Sequence, residues 1–218
     1  DPDGVDSDLL RLLNLGLPDR IRRIRLALQR WRESQPVRKG TRSYVRVNIP
    51  AFELELHLDG ESVRRYRAVV GSPGRSRTPL LDTRATQVVL NPTWAAPKRW
   101  LEKRGLDRLI LWPGEHNPLG PMKIRLFNAN AIYLHGTNKP KAFERSRRAM
   151  SQGCIRVQGA VDLARRIALS RSGTTSERFD ELAKKGRPAK LKLSEKLPVH
   201  LEYVTVVVDD NDRIRFLP

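Results

Sequence analysis

The sequence predicts one mostly β domain with a few attached helices. Residues 44–49 and 52–58 alternate apolar and polar side chains, as half-buried strands do. Asp59-Gly60 follows at once and is typical of a two-residue hairpin turn, so 63–70 should form the partner strand. The long stretches of helical spacing lie outside this region. Together these observations favour one sheet-rich domain over two domains.

Each remaining element follows from local pattern. Further strands are predicted at 85–90, 122–127, 131–134 and 199–208, with a last short strand after 209–212. Residues 95–115 interrupt the strand pattern, so we expect an excursion from the sheet there, with a short helix over 97–104. Two helices are predicted at 158–170 and 176–185.

An amphipathic helix is predicted near 18–33. Apolar side chains recur there at helical spacing, with arginines on the opposite face. We expect an N-terminal segment over 1–42, whose helix packs on a main domain over 43–218. The first sixteen residues show only a short leucine-rich stretch.

The chain is strongly basic, with 42 Lys and Arg against 24 Asp and Glu, a formal net charge of +18. Such a charge indicates anionic partners and says little about fold. Nucleic acid, an anionic membrane surface and a carboxylate-rich polymer all fit it. No RNA-binding aromatic motif, zinc-finger spacing or basic zipper region accompanies the arginines, so nucleic acid is not the expected partner.

The sequence also bears on compartment. No run approaches the ~20 apolar residues that a membrane-spanning helix needs. The chain begins at Asp1-Pro2 without methionine or a signal segment, so we expect a trimmed or mature fragment. The sequence predicts no oligomeric state.

Cys154 is the only cysteine, and it lies nineteen residues after His135. A free thiol, with a pKa of about 8.5, is mostly protonated at neutral pH, and a neighbouring imidazole can take its proton. We expect His135, at the end of an apolar strand, to meet Cys154 when the intervening loop folds back. The alternative is that the cysteine is a small buried apolar residue.

The residues around this pair suggest further roles. Gly153 and Cys154 offer consecutive backbone N–H groups for an oxyanion, and glycine permits the unusual dihedral angles of such a turn. No carboxylate lies near His135 in sequence, so the Gly136 carbonyl could orient its ring. Arg156 could hold a substrate carboxylate with paired hydrogen bonds, or be one more arginine among many.

Other chemistries have less support. The four histidines form no zinc-binding pattern, so we expect neither a metal nor another cofactor. A serine hydrolase would need a Gly-x-Ser-x-Gly motif, which is absent. His116, beside the excursion, remains unassigned.

Two motifs resemble the active-site signature of the L,D-transpeptidases (the YkuD domain). These are Tyr133-Leu134-His135-Gly136-Thr137 and Ser151-Gln152-Gly153-Cys154-Ile155-Arg156-Val157. Framework motifs of the larger Gram-negative branch resemble Val47-Asn48-Ile49-Pro50-Ala51-Phe52, Val69-Val70-Gly71, Thr78-Pro79, Asn91-Pro92-Thr93-Trp94 and Asn117-Pro118-Leu119-Gly120. The resemblance covers roughly residues 17–218.

This resemblance implies a β-sandwich-like catalytic fold over 43–218 and a cell-wall enzyme of the periplasm or cell envelope. The thiol would attack the third residue of a peptidoglycan tetrapeptide stem, release D-alanine and form a thioester. An amine acceptor would then resolve the thioester into a 3–3 cross-link. Cys154 would be the nucleophile, His135 the base and Gly136 the orienting group, while Tyr133, Ser151 and Arg156 would line the substrate site. Carbapenems would acylate the thiol.

Three departures from the family pattern stand out. Gln152 replaces the common histidine, the excursion at 95–115 is shorter than the usual lid, and the peptidoglycan-binding module that often precedes the helix is absent, unless Asp3-Gly4-Val5 is its remnant. Alternatives therefore remain open. Water as acceptor would give an L,D-carboxypeptidase, and a lipoprotein lysine would give an anchoring enzyme. A catalytically silent basic module that binds wall polymer or nucleic acid is the alternative from another class.

Overall fold

The computed structural model describes residues 16–38, 41–209 and 211–217. Its helices are α1 (Leu17–Arg38), α2 (Lys98–Glu102), α3 (Ala160–Arg171) and α4 (Ser176–Lys184), with a 3-10 turn at Pro140–Glu144. Its strands are β1 (Tyr44–Asn48), β2 (Glu53–Leu58), β3 (Glu61–Gly71), β4 (Leu81–Leu90), β5 (Trp94–Ala95), β6 (Ile110–Leu111), β7 (Met122–Leu126), β8 (Tyr133–His135), β9 (Ala149–Ser151), β10 (Ile155–Val157), β11 (Ala189–Glu202), β12 (Val206–Val208) and β13 (Ile214–Phe216).

The described strands confirm the mostly β class with attached helices. The main sheet has the order β10-β8-β7-β4-β11-β1-β2-β3-β9, and β10 also pairs with β3. Since β10 bonds to both β8 and β3, the sheet curls round and joins its own far side, as a barrel does. This closure brings residues from the two ends of the sheet order to one place.

The hairpin between β2 and β3 forms where it was predicted. Asp59 and Gly60 have φ angles of 54° and 96°, and both residues of a type I′ turn require such positive values. Strand β11 differs from the prediction, because it begins at Ala189 rather than at Val199. Its pairing with β4 shifts register between Lys192 and Leu197, and this irregularity interrupts the alternation along the strand.

One hydrophobic core fills the concave side of the sheet. Helix α3 packs against β11, β7 and β4, and its inward side chains are fully or nearly fully buried: Ala160, Leu163, Ala164, Ile167 and Ala168. These residues join the inward side chains of the strands in a single cluster. The remaining strand side chains lie on the outer face of the sheet.

Helix α1 is longer than the predicted 18–33 and contacts the C-terminal part of the chain. Arg30 Nη1 donates to the Tyr203 carbonyl at 3.0 Å, and Arg23 Nη1 donates to the Leu217 carbonyl at 3.3 Å. The short leucine-rich stretch near the start of the chain lies outside the described residues. In the described ranges, no helix has both the length and the apolar character needed to cross a bilayer.

The excursion at 95–115 contains helix α2, shorter than predicted, and the paired two-residue strands β5 and β6. Trp94 and Trp100 meet edge to face at 5.9 Å, and the Arg104 guanidinium lies 3.9 Å from the Trp100 ring centre. Trp112 remains 72% exposed. These aromatic contacts hold the excursion together with the Asn117 amide, which donates to the Leu111 and Trp112 carbonyls.

Candidate active site

Two neighbouring parallel strands carry the predicted site residues. In the pairing of β8 with β10, Leu134 lies opposite Ile155, and His135 lies opposite Arg156. Leu134 and Ile155 are fully buried in the core. Because side chains alternate along a strand, His135 and Arg156 share the outer face. Tyr133 shares it as well, two residues before His135.

Cys154 lies in the turn that enters β10. Gly153 has a φ of 114°, a left-handed value that glycine adopts without strain, and a Cβ there would lie 3.3 Å from Ile132 Cδ1. The Ser151 hydroxyl donates to the Cys154 carbonyl at 2.6 Å and accepts from the Gly153 N–H at 3.1 Å. These bonds fix the direction in which the thiol leaves the backbone.

Thr78 holds this turn from the neighbouring loop. Its buried hydroxyl donates to the Gly153 carbonyl at 2.8 Å and accepts from the Gly71 N–H at 2.8 Å. Gly71 leaves no room for a side chain, since a Cβ there would lie 2.0 Å from the Ser76 carbonyl oxygen. Through Thr78, the loop after β3 is thus hydrogen-bonded both to its own beginning at Gly71 and to the cysteine turn.

The environment of the thiol favours its neutral form. Burial raises the pKa of Cys154 above its usual value. Hydrogen bonds from the backbone and side chain of Tyr133, and the charges of Lys123 and Arg156, act in the opposite direction. The Cys154 Sγ also lies 3.6 Å from the Ala131 carbonyl, to which the thiol donates. Desolvation therefore outweighs the neighbouring donors and cations, and the net effect on the thiol pKa is upward.

The imidazole is neutral as well. Burial, followed by the charge of Arg156, lowers the pKa of His135 to about 4. The carbonyls of Gly136 and Leu119 act to raise it. The Gly136 carbonyl thus lies near the ring, while the buried Nδ1 atom has no hydrogen-bond partner. Within the described residues, no hydrogen bond joins Cys154 to His135.

Arg156 completes this outer-face group. Burial lowers the pKa of its guanidinium, and a charged Cys154 would raise it. Its Nε atom is buried without a hydrogen-bond partner. A half-buried guanidinium with an unused donor can bind a carboxylate with little reorganisation.

Two of the predicted contacts differ in the structure. Ser151 is 2% exposed and uses its hydroxyl inside the turn, so it shapes the site and does not line a substrate surface. The Gly153 N–H donates to Ser151 and is not free for an oxyanion. The Cys154 N–H makes no hydrogen bond within the described part of the chain.

Sequence reasoning assigned no role to Thr78 or Lys123. The Thr78-Pro79 motif was interpreted only as a framework motif. A hydroxyl that bridges two backbone segments distant in sequence leaves no local pattern. Lys123 lies opposite His135 in the pairing of β7 with β8, and its ammonium lies 5.3 Å from the Tyr133 ring centre. The alternation of β7 could have placed Lys123 on the outer face.

Two cavities lie outside this group. One of about 340 Å³ adjoins it, lined by Gly120, Thr137 and Asn138 together with Gly114 and Glu115 at the end of the excursion. A larger one of about 540 Å³ lies between α1 and the far part of the sheet, and none of the predicted site residues lines it. Chemistry and charge, not cavity size, therefore identify the candidate site. His116 is 89% exposed beside Glu115, and the described residues contain no cluster of possible metal ligands.

The chain is similar to known proteins over most of its length. A Haemophilus influenzae protein assigned as an L,D-transpeptidase is 28% identical over 205 aligned residues, which cover 76% of this chain and 42% of that relative. The chain thus spans less than half the length of this curated relative.

Solved structures show weaker likeness. The L,D-transpeptidase from Mycobacterium smegmatis has a TM-score of 0.44 and 16% identity, over 74% of this chain and 58% of that one. A mutant of the Enterococcus faecium L,D-transpeptidase has a TM-score of 0.41 and 13% identity, over 73% of this chain and 49% of that one.

The family model of the L,D-transpeptidase catalytic domain, YkuD, matches residues 42–190, which include every predicted site residue. This chain therefore belongs to the YkuD family of L,D-transpeptidase catalytic domains.

Proposed function

We propose that this chain is a cysteine-dependent peptidoglycan L,D-transpeptidase of the cell envelope. The observation that supports this most is the shared outer face of β8 and β10, where Tyr133 and Arg156 lie beside both Cys154 and His135. A thiol, an imidazole and a cation that can hold a carboxylate are the parts that acyl transfer from a peptide stem needs.

In the proposed reaction the sulfur of Cys154 attacks the carbonyl carbon of the third stem residue. The thiol proton passes to His135, for which we assign the unpartnered Nδ1 atom. The proton then moves to the leaving amine, D-alanine departs and a thioester remains. An amine of a second stem attacks this thioester, transfers its proton to the imidazole and frees the thiol, which yields the 3–3 cross-link.

The pKa directions favour proton transfer during attack over a resting ion pair. Burial raises the pKa of the thiol and lowers that of the imidazole, so both groups are neutral before substrate arrives. Hydrogen bonds of catalytic pairs are often long without substrate and tighten in the Michaelis complex. We assign the Cys154 N–H as one oxyanion donor, and the Tyr133 hydroxyl as a donor that stabilises charge on the sulfur.

The group that accepts the acyl chain from the thioester distinguishes an L,D-transpeptidase from two related kinds of enzyme. Water would make the chain a carboxypeptidase, and a lipoprotein lysine would make it an anchoring enzyme, with the same thioester in each case. Incubation with purified tetrapeptide muropeptides should yield a cross-linked dimer together with free D-alanine. Tripeptide without dimer would instead assign hydrolysis.

The thioester step has its own test. Intact-mass measurement after exposure to a carbapenem should show one covalent adduct on the parent protein and none on Cys154→Ala. A folded Cys154→Ala control is identified by an unchanged thermal unfolding midpoint. A folded parent that gains no adduct would contradict the proposed nucleophile.

A further inference from the structure

The outer face of the sheet carries a group of cations beside the candidate active site. We call Lys123, Arg125, Lys190 and Lys192 the basic track. We propose that the basic track binds a carboxylate-bearing polymer outside the reacting residues. The choice of polymer rests on the proposed function and is a peptidoglycan strand with its anionic stems.

Strand register places these cations in two rows that start at the active site. In the first row Arg156 lies opposite His135, His135 opposite Lys123, Lys123 opposite Val89, and Val89 opposite Lys190. The row crosses from β10 to β11 over four strand spacings, about 19 Å at ~4.8 Å each. One end of the track is therefore adjacent to the imidazole.

The second row runs parallel to the first. Tyr133 lies opposite Arg125, Arg125 opposite Gln87, and Gln87 opposite Lys192. Residues between the two rows face the core instead, and Leu134, Ile124 and Val88 are all fully buried. The alternation of five neighbouring strands thus directs both rows to one surface.

The cations of the track are exposed or half-buried and unpaired. Lys190, Lys192 and Arg125 are exposed, and Lys123 is half-buried. Among the described residues, none of the four makes an ion pair or a hydrogen bond to a carboxylate. The charges of Arg125 and Lys190 add to burial in lowering the pKa of Lys123, which shows that the cations repel one another. Like charges held together without counter-charges raise the local concentration of an anionic partner.

The surface suits a flexible carboxylate polymer better than nucleic acid. Binding of single-stranded nucleic acid relies on aromatic side chains that stack with bases. The rows contain one aromatic residue, Tyr133, whose ring already lies against Lys123 and beside His135. Continuity with the site where a stem would react also favours the substrate polymer, because neighbouring stems of one strand could occupy track and active site together.

Binding to insoluble peptidoglycan sacculi tests the proposal. The Cys154→Ala protein is used throughout, so that turnover does not alter the polymer. Adding Lys190→Glu and Lys192→Glu should weaken binding about tenfold, because two attractive charges are replaced by two that repel the carboxylates. Lys190→Arg with Lys192→Arg should retain binding, because the charge is kept. Raising the salt from about 0.05 M to about 0.5 M should weaken the parent more than the Glu variant.

The matched control makes the same change in charge at two residues outside the basic track. Arg25 and Lys184 are exposed residues of α1 and α4, and Arg25→Glu with Lys184→Glu makes an identical change in net charge. Equal loss in this control would overturn the proposal, since net charge alone would then explain binding. Undiminished binding by the Lys190→Glu and Lys192→Glu protein, or binding of a poly-uridine RNA but not of sacculi, would overturn it too.

The carbapenem adduct separates this inference from the proposed function. A parent protein that forms the adduct but does not bind sacculi contradicts the basic track alone. A protein that binds sacculi through the track but forms no adduct contradicts the proposed nucleophile alone.

Discussion

The outer face of the sheet has two regions that differ in whether their charged side chains have partners of opposite charge. Beneath α1, Arg46 donates to Glu202 at 3.1 Å and to Glu55 at 3.3 Å, and all three side chains are largely buried. Beside Cys154, Lys123 and Arg156 have no carboxylate partner within the described residues. One sheet thus carries a paired region and an unpaired region.

This difference separates charges that stabilise the fold from charges kept for a ligand. In the paired region, a hydrogen bond from His57 and then the charge of Arg46 hold the pKa of Glu55 at about 2. In the unpaired region, burial and then the charge of Arg125 lower the pKa of Lys123, and no carboxylate among the described residues opposes them, although a charged Cys154 would. Uncompensated buried charge costs stability, so its presence beside a thiol indicates a function.

Removing the base should have the largest effect on the unpaired region. His135→Gln keeps a polar side chain but cannot take the thiol proton, so the rate of carbapenem acylation should fall about 10²- to 10⁴-fold. Stopped-flow measurement of acylation checks this. His57→Gln is the control from the paired region and should acylate at the parent rate. A comparable rate for His135→Gln would remove the imidazole from the proposed reaction.

Removing one cation from each region should change stability in different ways. Arg46→Met removes the cation that two largely buried carboxylates share, although Glu55 keeps Arg65 and His57 as partners, and the free energy of unfolding should fall by about 3 kcal/mol. Lys123→Met removes a half-buried cation with no carboxylate partner, so stability should stay within about 1 kcal/mol or rise. Urea unfolding of the two variants gives the comparison directly. Similar losses in both would show that the two regions do not differ in this respect.

The regions should also lose stability in different pH ranges. His135 has a folded pKa of about 4, below its unfolded value near 6.5, so the unfolded chain binds more protons between these values. Stability is therefore complete above pH 6.5 and should fall by about 3 kcal/mol as the pH drops to 4. Glu55 has its pKa lowered from 4.5 to about 2, so the stability that its ionised form contributes is lost as the pH falls from 4.5 towards 2. Unfolding midpoints of the parent and His135→Gln from pH 7 to 4 test this, because the variant should lack the loss of stability that His135 causes between pH 6.5 and 4.

The smallest effect should come from the loop that holds the cysteine turn. Thr78→Val keeps the shape of the side chain but leaves the Gly71 N–H and the Gly153 carbonyl without their partner, at a cost of about 1–3 kcal/mol. Slower acylation should accompany this loss, because the turn that aims the thiol loosens. Thr78→Ser retains the hydroxyl and should restore most of both properties. Parent-like acylation by a folded Thr78→Val would show that the turn holds its geometry without this bond.

The sequence predicted those elements whose cause is local. The turn at Asp59-Gly60 needs two residues with positive φ, and the position of His135 at a strand end follows from the apolar run before it. The start of β11 was wrong by ten residues. A polar interruption and a register shift near Lys192 conceal a strand that continues across them.

The missed features of the site depend on contacts between distant segments. Burial raises the pKa of the Cys154 thiol, and burial is a property of the whole fold. The hydroxyl of Thr78 reaches Gly153 across 75 positions of sequence. Strand order, which aligns Lys123 with His135, is equally invisible to local pattern.

The joining of β10 to both β8 and β3 has a consequence for how this protein assembles. Val157 pairs with Ala68, and Ile155 pairs with Leu134, so the short strand after the thiol completes a ring from segments far apart in the chain. Contacts between distant segments form late in folding, because closing a long loop costs entropy before it yields any contact. A chain in which β10 has not yet paired with both strands therefore carries its sulfur without the surroundings that it has in the folded protein.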